Sequence, residues 1–134
     1  MMLKFYFSLF LVLAVCGCTT VAPKSAPAPK DQLTSIRESL RIYHDCLKQK
    51  VEPYLKTKAK PKTIAEAVAK KCEPALNDYK FAVREFYVEG LSPETEGYNK
   101  LVLTKPEIHA KRVRTKGESA TIARVLEARK AAPR

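Results

Sequence analysis

Two cysteines, Cys46 and Cys72, lie on opposite sides of a basic, proline-containing turn, and this pair is the strongest constraint on how the chain can fold. The turn centres near Lys60, almost equally far from each cysteine, so an antiparallel helix pair would bring both thiols to one level. Neighbouring helices can meet the limit of about 7 Å between Cα atoms that a disulfide requires. We therefore expect a structural Cys46–Cys72 disulfide. Free buried thiols or a redox or metal role are the alternatives, although the C-x-x-C spacing of redox pairs is missing.

Apolar residues before the turn recur every three or four positions, as on the buried face of a helix. A first helix is predicted over about residues 31–57. Pro53 should kink or end it, because proline has no backbone N–H to donate. The apolar stripe of this helix comprises Leu33, Ile36, Leu40, Tyr43, Leu47, Val51 and Tyr54.

A second helix is predicted after the basic turn at residues 56–62. Thr63 and Glu66 have the spacing of a capping box, which predicts that this helix opens at Thr63. Pro74 should kink or restart the helix, and Gly90 should end it. Its apolar stripe comprises Ile64, Val68, Cys72, Ala75, Tyr79, Ala82 and Phe86.

The last third of the chain gives weaker signals. Residues 98–104 fit a short strand or a helical turn. Pro93 and Pro106 are each predicted to start a segment, and residues 118–130 have a helical pattern. Cys46 lies roughly 100° or more from the centre of its helix's apolar stripe, which leaves much of that stripe for a third element. The sequence predicts an all-α fold, a small helical bundle built on a disulfide-linked antiparallel helical hairpin.

Residues 1–17 have the features of an export signal. One early charge, Lys4, is followed by an uncharged apolar run from Phe5 to Val15. A transmembrane helix needs about 20 apolar residues, so this run is too short to be one. A basic start before a short apolar run is typical of a signal peptide that is cleaved from the mature chain.

The leader ends in Val15, Cys16, Gly17 and Cys18, which resemble the lipobox of bacterial lipoproteins. That family requires a small residue before the modified cysteine, and Gly17 provides it for Cys18. The resemblance implies that Cys18 becomes the lipidated N-terminus, where two or three acyl chains such as palmitate hold firmly to a membrane. Thr19, rather than aspartate, follows Cys18. The resemblance then implies the outer membrane of a Gram-negative cell, with the domain facing the periplasm, or the inner membrane of a cell that lacks an outer one.

Composition divides the remaining chain into three parts. Residues 18–30 form the lipidated N-terminus and a linker rich in proline, alanine and lysine. Such a linker is extended and semi-rigid, and its last twelve residues would reach roughly 37 Å. Residues 31–130 form the predicted helical periplasmic domain, and residues 131–134 should fray.

The chain carries 25 basic and 14 acidic residues, a formal net charge of +11. This excess favours association with anionic surfaces. An exported chain meets anionic lipid, lipopolysaccharide, cell wall and acidic proteins rather than nucleic acid. The densest basic run, KRVRTK at residues 111–116, contributes the candidate contact residues Lys111, Arg112, Arg114 and Lys116. A solvated helix face would show the same pattern.

The sequence lacks the usual signatures of an enzyme. No G-x-S-x-G elbow, phosphate-binding loop or dinucleotide fingerprint occurs. His44, Cys46 and Cys72 could supply three zinc ligands, whereas a structural zinc site takes four. His109 lies in a basic segment and should be solvated. We expect a non-enzymatic protein that needs no metal and no cofactor.

The overall plan resembles that of secretin pilotins, which are small, helical, disulfide-bonded outer-membrane lipoproteins. Size, anchor and cysteine placement carry the resemblance, and no residue motif does. It implies a protein-binding or assembly module of the cell envelope, in which a partner helix docks between helices. A groove lined by Tyr43, Tyr54 or Tyr79 would support this function. Two other functions stay open: an electrostatic tether to lipopolysaccharide, anionic lipid or cell wall, and an accessory lipoprotein of conjugation or phage. The oligomeric state is not predicted.

Overall fold

The computed structural model describes residues 29–132, which fold into four packed α-helices with no strand among them. The predicted all-α bundle is confirmed. The predicted signal peptide, Cys18, most of the linker and the last two residues lie outside the described part of the chain. The helices are α1 (Pro29–Val51), α2 (Pro61–Lys71), α3 (Glu73–Gly90) and α4 (Tyr98–Ala131).

The chain crosses the bundle three times. Gln32, at the start of α1, donates a hydrogen bond to Glu89, at the end of α3, so these helices run antiparallel. Lys80 and Glu73 of α3 pair in reverse order with Glu107 and Arg114 of α4, so these helices are also antiparallel. Helix α4 continues past the end of α1, where Arg129 donates a hydrogen bond to the Thr57 carbonyl oxygen. The bundle therefore consists of α1, a returning leg made of α2 and α3, and α4 parallel to α1.

The returning leg is broken at Cys72, as the proline two residues later predicted. The Cys72 amide donates to the carbonyl oxygens of Val68 and Ala69, which closes α2. Pro74 lies in the first turn of α3, where its missing N–H would have had no partner within the helix. The predicted restart is confirmed. So is the end of α1 ahead of Pro53, where a short 3-10 turn, Glu52–Tyr54, follows Val51.

The predicted capping box is wrong. Helix α2 begins at Pro61, two residues before Thr63, and no side chain caps it. Proline has a backbone torsion already suited to the first helical position, so the helix starts there. The predicted role of Pro93 is also wrong, because Pro93 lies in the turn before α4 and not in a helix.

The long α4 helix replaces the separate segments expected in the last third. It spans 34 residues, starts after Gly97 in the left-handed conformation (φ 74°), and includes Pro106 in its interior. Residues 98–104 are helical, and the expected start at Pro106 is wrong. Pro106 is buried, so packing against α3 holds the helix together where one backbone hydrogen bond is missing. The tail predicted to fray is residues 131–134. Its first residue, Ala131, is still helical and is the last residue of α4.

The buried face of α4 winds around the helix. Buried positions recur mostly at intervals of four, and each such step turns the face by about 40° because a turn takes 3.6 residues. Helix α4 therefore passes from α3 to α2 as it crosses the bundle. The residues of this face are mostly small: Val102, Pro106, Ala110, Gly117, Thr121 and Val125.

The core is centred on Tyr43, whose side chain is fully buried. Its hydroxyl has no hydrogen-bond partner among the described residues, so the ring contributes here chiefly as apolar surface. All four helices supply the rest of the core: Leu47, Val51, Ile64, Val68, Cys72, Leu76, Tyr79, Val83, Ala110 and Val125. Residues 29–132 thus contain a complete hydrophobic core, and we expect the chain to fold without its leader.

The disulfide between Cys46 and Cys72 is confirmed, with the two Cα atoms 5.9 Å apart. It joins α1 to the break between α2 and α3. Because Cys46 lies off the main stripe of α1, that stripe remains available to another helix. Tyr43 and Leu47 of the stripe contact α4 at Gly117, so α4 is the expected third element.

Removal of the disulfide should destabilise the fold by about 3 kcal/mol, because the unfolded chain regains the entropy that a closed loop of this length had lost. The Cys46→Ser/Cys72→Ser double variant should unfold at a lower urea concentration than the oxidised protein. Wild-type protein in excess reductant provides the control and should match the double variant. Equal midpoints for oxidised and reduced protein would contradict this expectation.

Gly117 should not tolerate a larger residue. An added Cβ would lie 2.6 Å from Leu47 Cδ1 and 3.2 Å from Tyr43 Cε1, which forces repacking of the core. Gly117→Val should lower the free energy of unfolding by about 2 kcal/mol, measured by urea denaturation. Gly90→Val is the matched control, since nothing lies within 4 Å of a Cβ there. Equal losses in both variants would show that the close contact between α4 and α1 does not restrict the size of the residue at position 117.

Candidate functional site

A surface groove of about 620 Å³ runs between α1 and α4, on the side where the two helices separate after their contact at Gly117. Leu47 and Val51 of α1 form one part of its floor, and both are almost fully buried. Gly117 and Thr121 of α4 form the other part. The Thr121 hydroxyl donates to the Gly117 carbonyl oxygen at 2.9 Å, so the floor leaves no unsatisfied polar side chain.

Small residues keep the α4 wall of the groove low. Gly117, Ala120 and Ala123 all line the groove, and the two alanines are exposed. Side chains of another helix could therefore come close to the α4 backbone, as ridges do when they pack into grooves. This arrangement suits a protein segment better than a small polar ligand.

The rim of the groove is polar and mainly basic. Lys48 and His44 line it on the α1 side, and Lys116, Arg124 and Glu127 line it on the α4 side. Arg124 is paired with Glu52, and Lys48 lies 3.7 Å from Asp45. Lys116 has no such ion pair within the described residues. An apolar floor inside a polar rim is the usual anatomy of a protein interface.

The predicted basic contact residues do not form one surface. Lys111 and Arg112 are exposed on different faces of α4, and Lys116 lies at the rim of the groove. Arg114 is half-buried and pairs with Glu73 at 3.1 Å and with Glu118 at 3.3 Å. Arg114 therefore links α4 to α3 and is not a free cation.

None of the three tyrosines that would support a docking groove lines this one. Tyr43 and Tyr79 are buried in the core. Tyr54 is half-buried, and Lys71 donates a hydrogen bond to its hydroxyl at 2.7 Å. The residues that do line the groove gave no signal in the sequence, because alanine and glycine at helical spacing are common on any helix.

His44 is exposed at the rim, and the two cysteines considered as zinc ligands with it are joined to each other. Within the described residues, no group of three or more histidine, cysteine, aspartate or glutamate side chains is placed to hold a metal. His109 is half-buried, with its ring centroid 6.5 Å from that of Tyr87. His44 therefore forms part of the groove rim, and His109 packs beside Tyr87.

Comparison with known proteins gives no relative: no family model, curated protein or solved structure matches the chain. Between residues 29 and 132, no helix has both the length and the apolar character needed to cross a membrane.

Tyr43 and Tyr79 should make the fold sensitive to alkali. Burial raises the pKa of both hydroxyls, and the charge of Arg114 opposes part of this rise at Tyr43. The unfolded chain releases these protons near pH 10, whereas the folded chain retains them, so stability should fall as the pH rises above about 10. Tyr43→Phe should move the alkaline unfolding midpoint to higher pH. Tyrosinate absorbance and circular dichroism measure both events. Ionisation of all tyrosines without any loss of helix would contradict the prediction.

Proposed function

We propose that this protein is a lipid-anchored, non-enzymatic module of the cell envelope that binds one partner protein in the groove between α1 and α4. The observation that carries the proposal is the groove itself, with its apolar floor, its low wall of small residues and its basic rim. Such a surface suits the apolar face of an amphipathic helix.

The envelope location is inferred from the leader. A basic start, a short apolar run and the lipobox-like residues before Cys18 together indicate export and lipidation. Acyl chains on Cys18 would hold the protein at the outer membrane, with residues 31–130 in the periplasm. An oxidising compartment also suits the Cys46–Cys72 disulfide.

The size of the groove supports a helical segment as the occupant. Its floor extends along α1 from Leu47 to Val51 and along α4 from Gly117 to Thr121, one helical turn on each side. One or two apolar side chains of a partner would fill this space. The rim cations Lys48 and Lys116 would then face the flanks of the partner, where acidic residues fit best.

The groove can be tested by filling it. Ala123 is exposed, so Ala123→Trp should leave the fold intact and block the occupant. The tagged, lipidated protein is purified from native envelopes, with washes at low and then high salt. We expect one protein to remain in near-equal amounts at high salt, and about tenfold less of it with Ala123→Trp, because a blocked apolar contact removes the salt-resistant part of binding.

Thr104→Trp is the matched control, because it introduces the same side chain at an exposed site of α4 that does not line the groove. It should retain the partner as the wild type does. Equal retention by Ala123→Trp would show that the partner binds elsewhere. Recovery of lipopolysaccharide or wall fragments alone, all lost at high salt, would favour an electrostatic tether over a specific partner.

A further inference from the structure

The end of the bundle farthest from the start of α1 is strongly basic. There the loop after α1, the first turn of α2 and the last turns of α4 come together. The α1 helix separates this end from Pro29 by about 34 Å. The basic pole, as we name it, consists of Lys56, Lys58, Lys60, Lys62, Arg129 and Lys130.

The charge of the basic pole is not neutralised within the protein. None of its six cations forms an ion pair with a carboxylate of residues 29–132. Elsewhere on the surface some cations have an acidic partner, such as Arg41, Arg114 and Arg124, and single cations without one among the described residues are spread over the helices rather than gathered at one end. Of the acidic residues nearest along the chain, Glu52 is held by Arg124, and neither Glu66 nor Glu127 forms an ion pair with a cation of the pole.

Arg129 has a fixed position in the pole. Its Nη2 group donates hydrogen bonds to the carbonyl oxygens of Thr57 and Ala59, which ties the loop to the end of α4. Its Nε and Nη1 groups have no acceptor among the described residues. Arg129 is thus a half-buried cation that is held in place and keeps donors for an external anion.

A cleft of about 800 Å³ lies between the loop and the end of α4. Lys56 and Lys58 line the loop side, and Arg129 lines the helix side. Leu55, Ala128 and Ala131 provide apolar surface beside these cations. The cleft therefore presents positive charge and carbon surface together.

We propose that this cleft binds the phosphate of an anionic membrane lipid headgroup, one with no cationic group to balance the phosphate. Arginine and lysine are the side chains best suited to phosphate oxygens, because their hydrogen bonds to it are charge-assisted. The apolar wall suits the carbon atoms attached to that phosphate, which a free anion lacks. The site is separate from the groove. If the N-terminus is also lipid-anchored, as proposed above, the two attachments hold the domain lengthwise along the membrane.

Vesicle binding tests the site. The chain from Thr19 onward, without its leader and with the disulfide formed, is sedimented with vesicles of phosphatidylcholine alone or mixed with phosphatidylglycerol. We expect binding to the mixed vesicles only. Lys56→Gln/Lys58→Gln should weaken it about 25-fold, because each basic residue near an anionic surface contributes roughly fivefold. This variant keeps Arg129 and its loop contacts, and circular dichroism checks that it folds.

Lys100→Gln/Lys105→Gln is the control, with the same change in charge at exposed positions of the opposite half of α4. It should weaken binding less than threefold. Equal losses in both double variants would mean that net charge alone drives binding and would overturn the site. So would unchanged binding of Lys56→Gln/Lys58→Gln. Inorganic phosphate is titrated separately by NMR. If the Arg129 side-chain resonances shift at an inorganic phosphate concentration equal to that of the lipid phosphate in the vesicle experiment, that result would identify a free anion as the ligand and would overturn the proposal of a lipid ligand.

Discussion

The close approach of α4 to α1 at Gly117 determines the rest of the arrangement. With no side chain at this position, Tyr43 and Leu47 pack directly against the α4 backbone, and Tyr43 becomes the fully buried centre of the core. The helices separate beyond this contact, because the buried face of α4 turns progressively towards α2. The same contact therefore closes the core on one side and opens the groove on the other. The disulfide joins α1 to the returning leg, which consists of α2 and α3. Helix α4 packs against both α1 and this leg, so the disulfide holds together the two surfaces that α4 contacts.

The hairpin could be predicted from the sequence because its signals are local. Proline at residues 53 and 74 marks the ends of helices through the missing N–H, and the apolar stripes repeat at helical spacing. The disulfide followed from the symmetry of Cys46 and Cys72 about the turn. Helix α4 could not be predicted as one unit, because its buried residues are small and their face winds around the axis. Pro106 reads as a start in isolation, and only burial against α3 reveals it as an interior residue.

The candidate site was harder to predict than the fold, because a site depends on which faces come together. Arg114 looked like one of four equivalent cations, and only the structure places Glu73, from a distant part of the sequence, beside it. The tyrosines looked suitable for a groove, but their positions in the stripes equally predict a core, which is where Tyr43 and Tyr79 lie. The groove residues Ala120 and Ala123 carry no chemical signal. Lipidation of Cys18 stays a prediction from the leader sequence.

Charge is distributed unevenly along the bundle, and this gives the two proposed surfaces a common direction. Near the start of α1, Asp31, Glu85 and Glu89 line a groove between α1 and α3. The basic pole lies at the other end, and the α1–α4 groove is closer to the pole than to the start of α1. On an anionic membrane the pole is attracted. A domain tethered at the start of α1 would therefore turn its pole back towards the lipid, within the reach that the linker sequence allows. A partner in the groove would then lie close to the membrane surface, so the pole would orient the groove without contributing any contact to it.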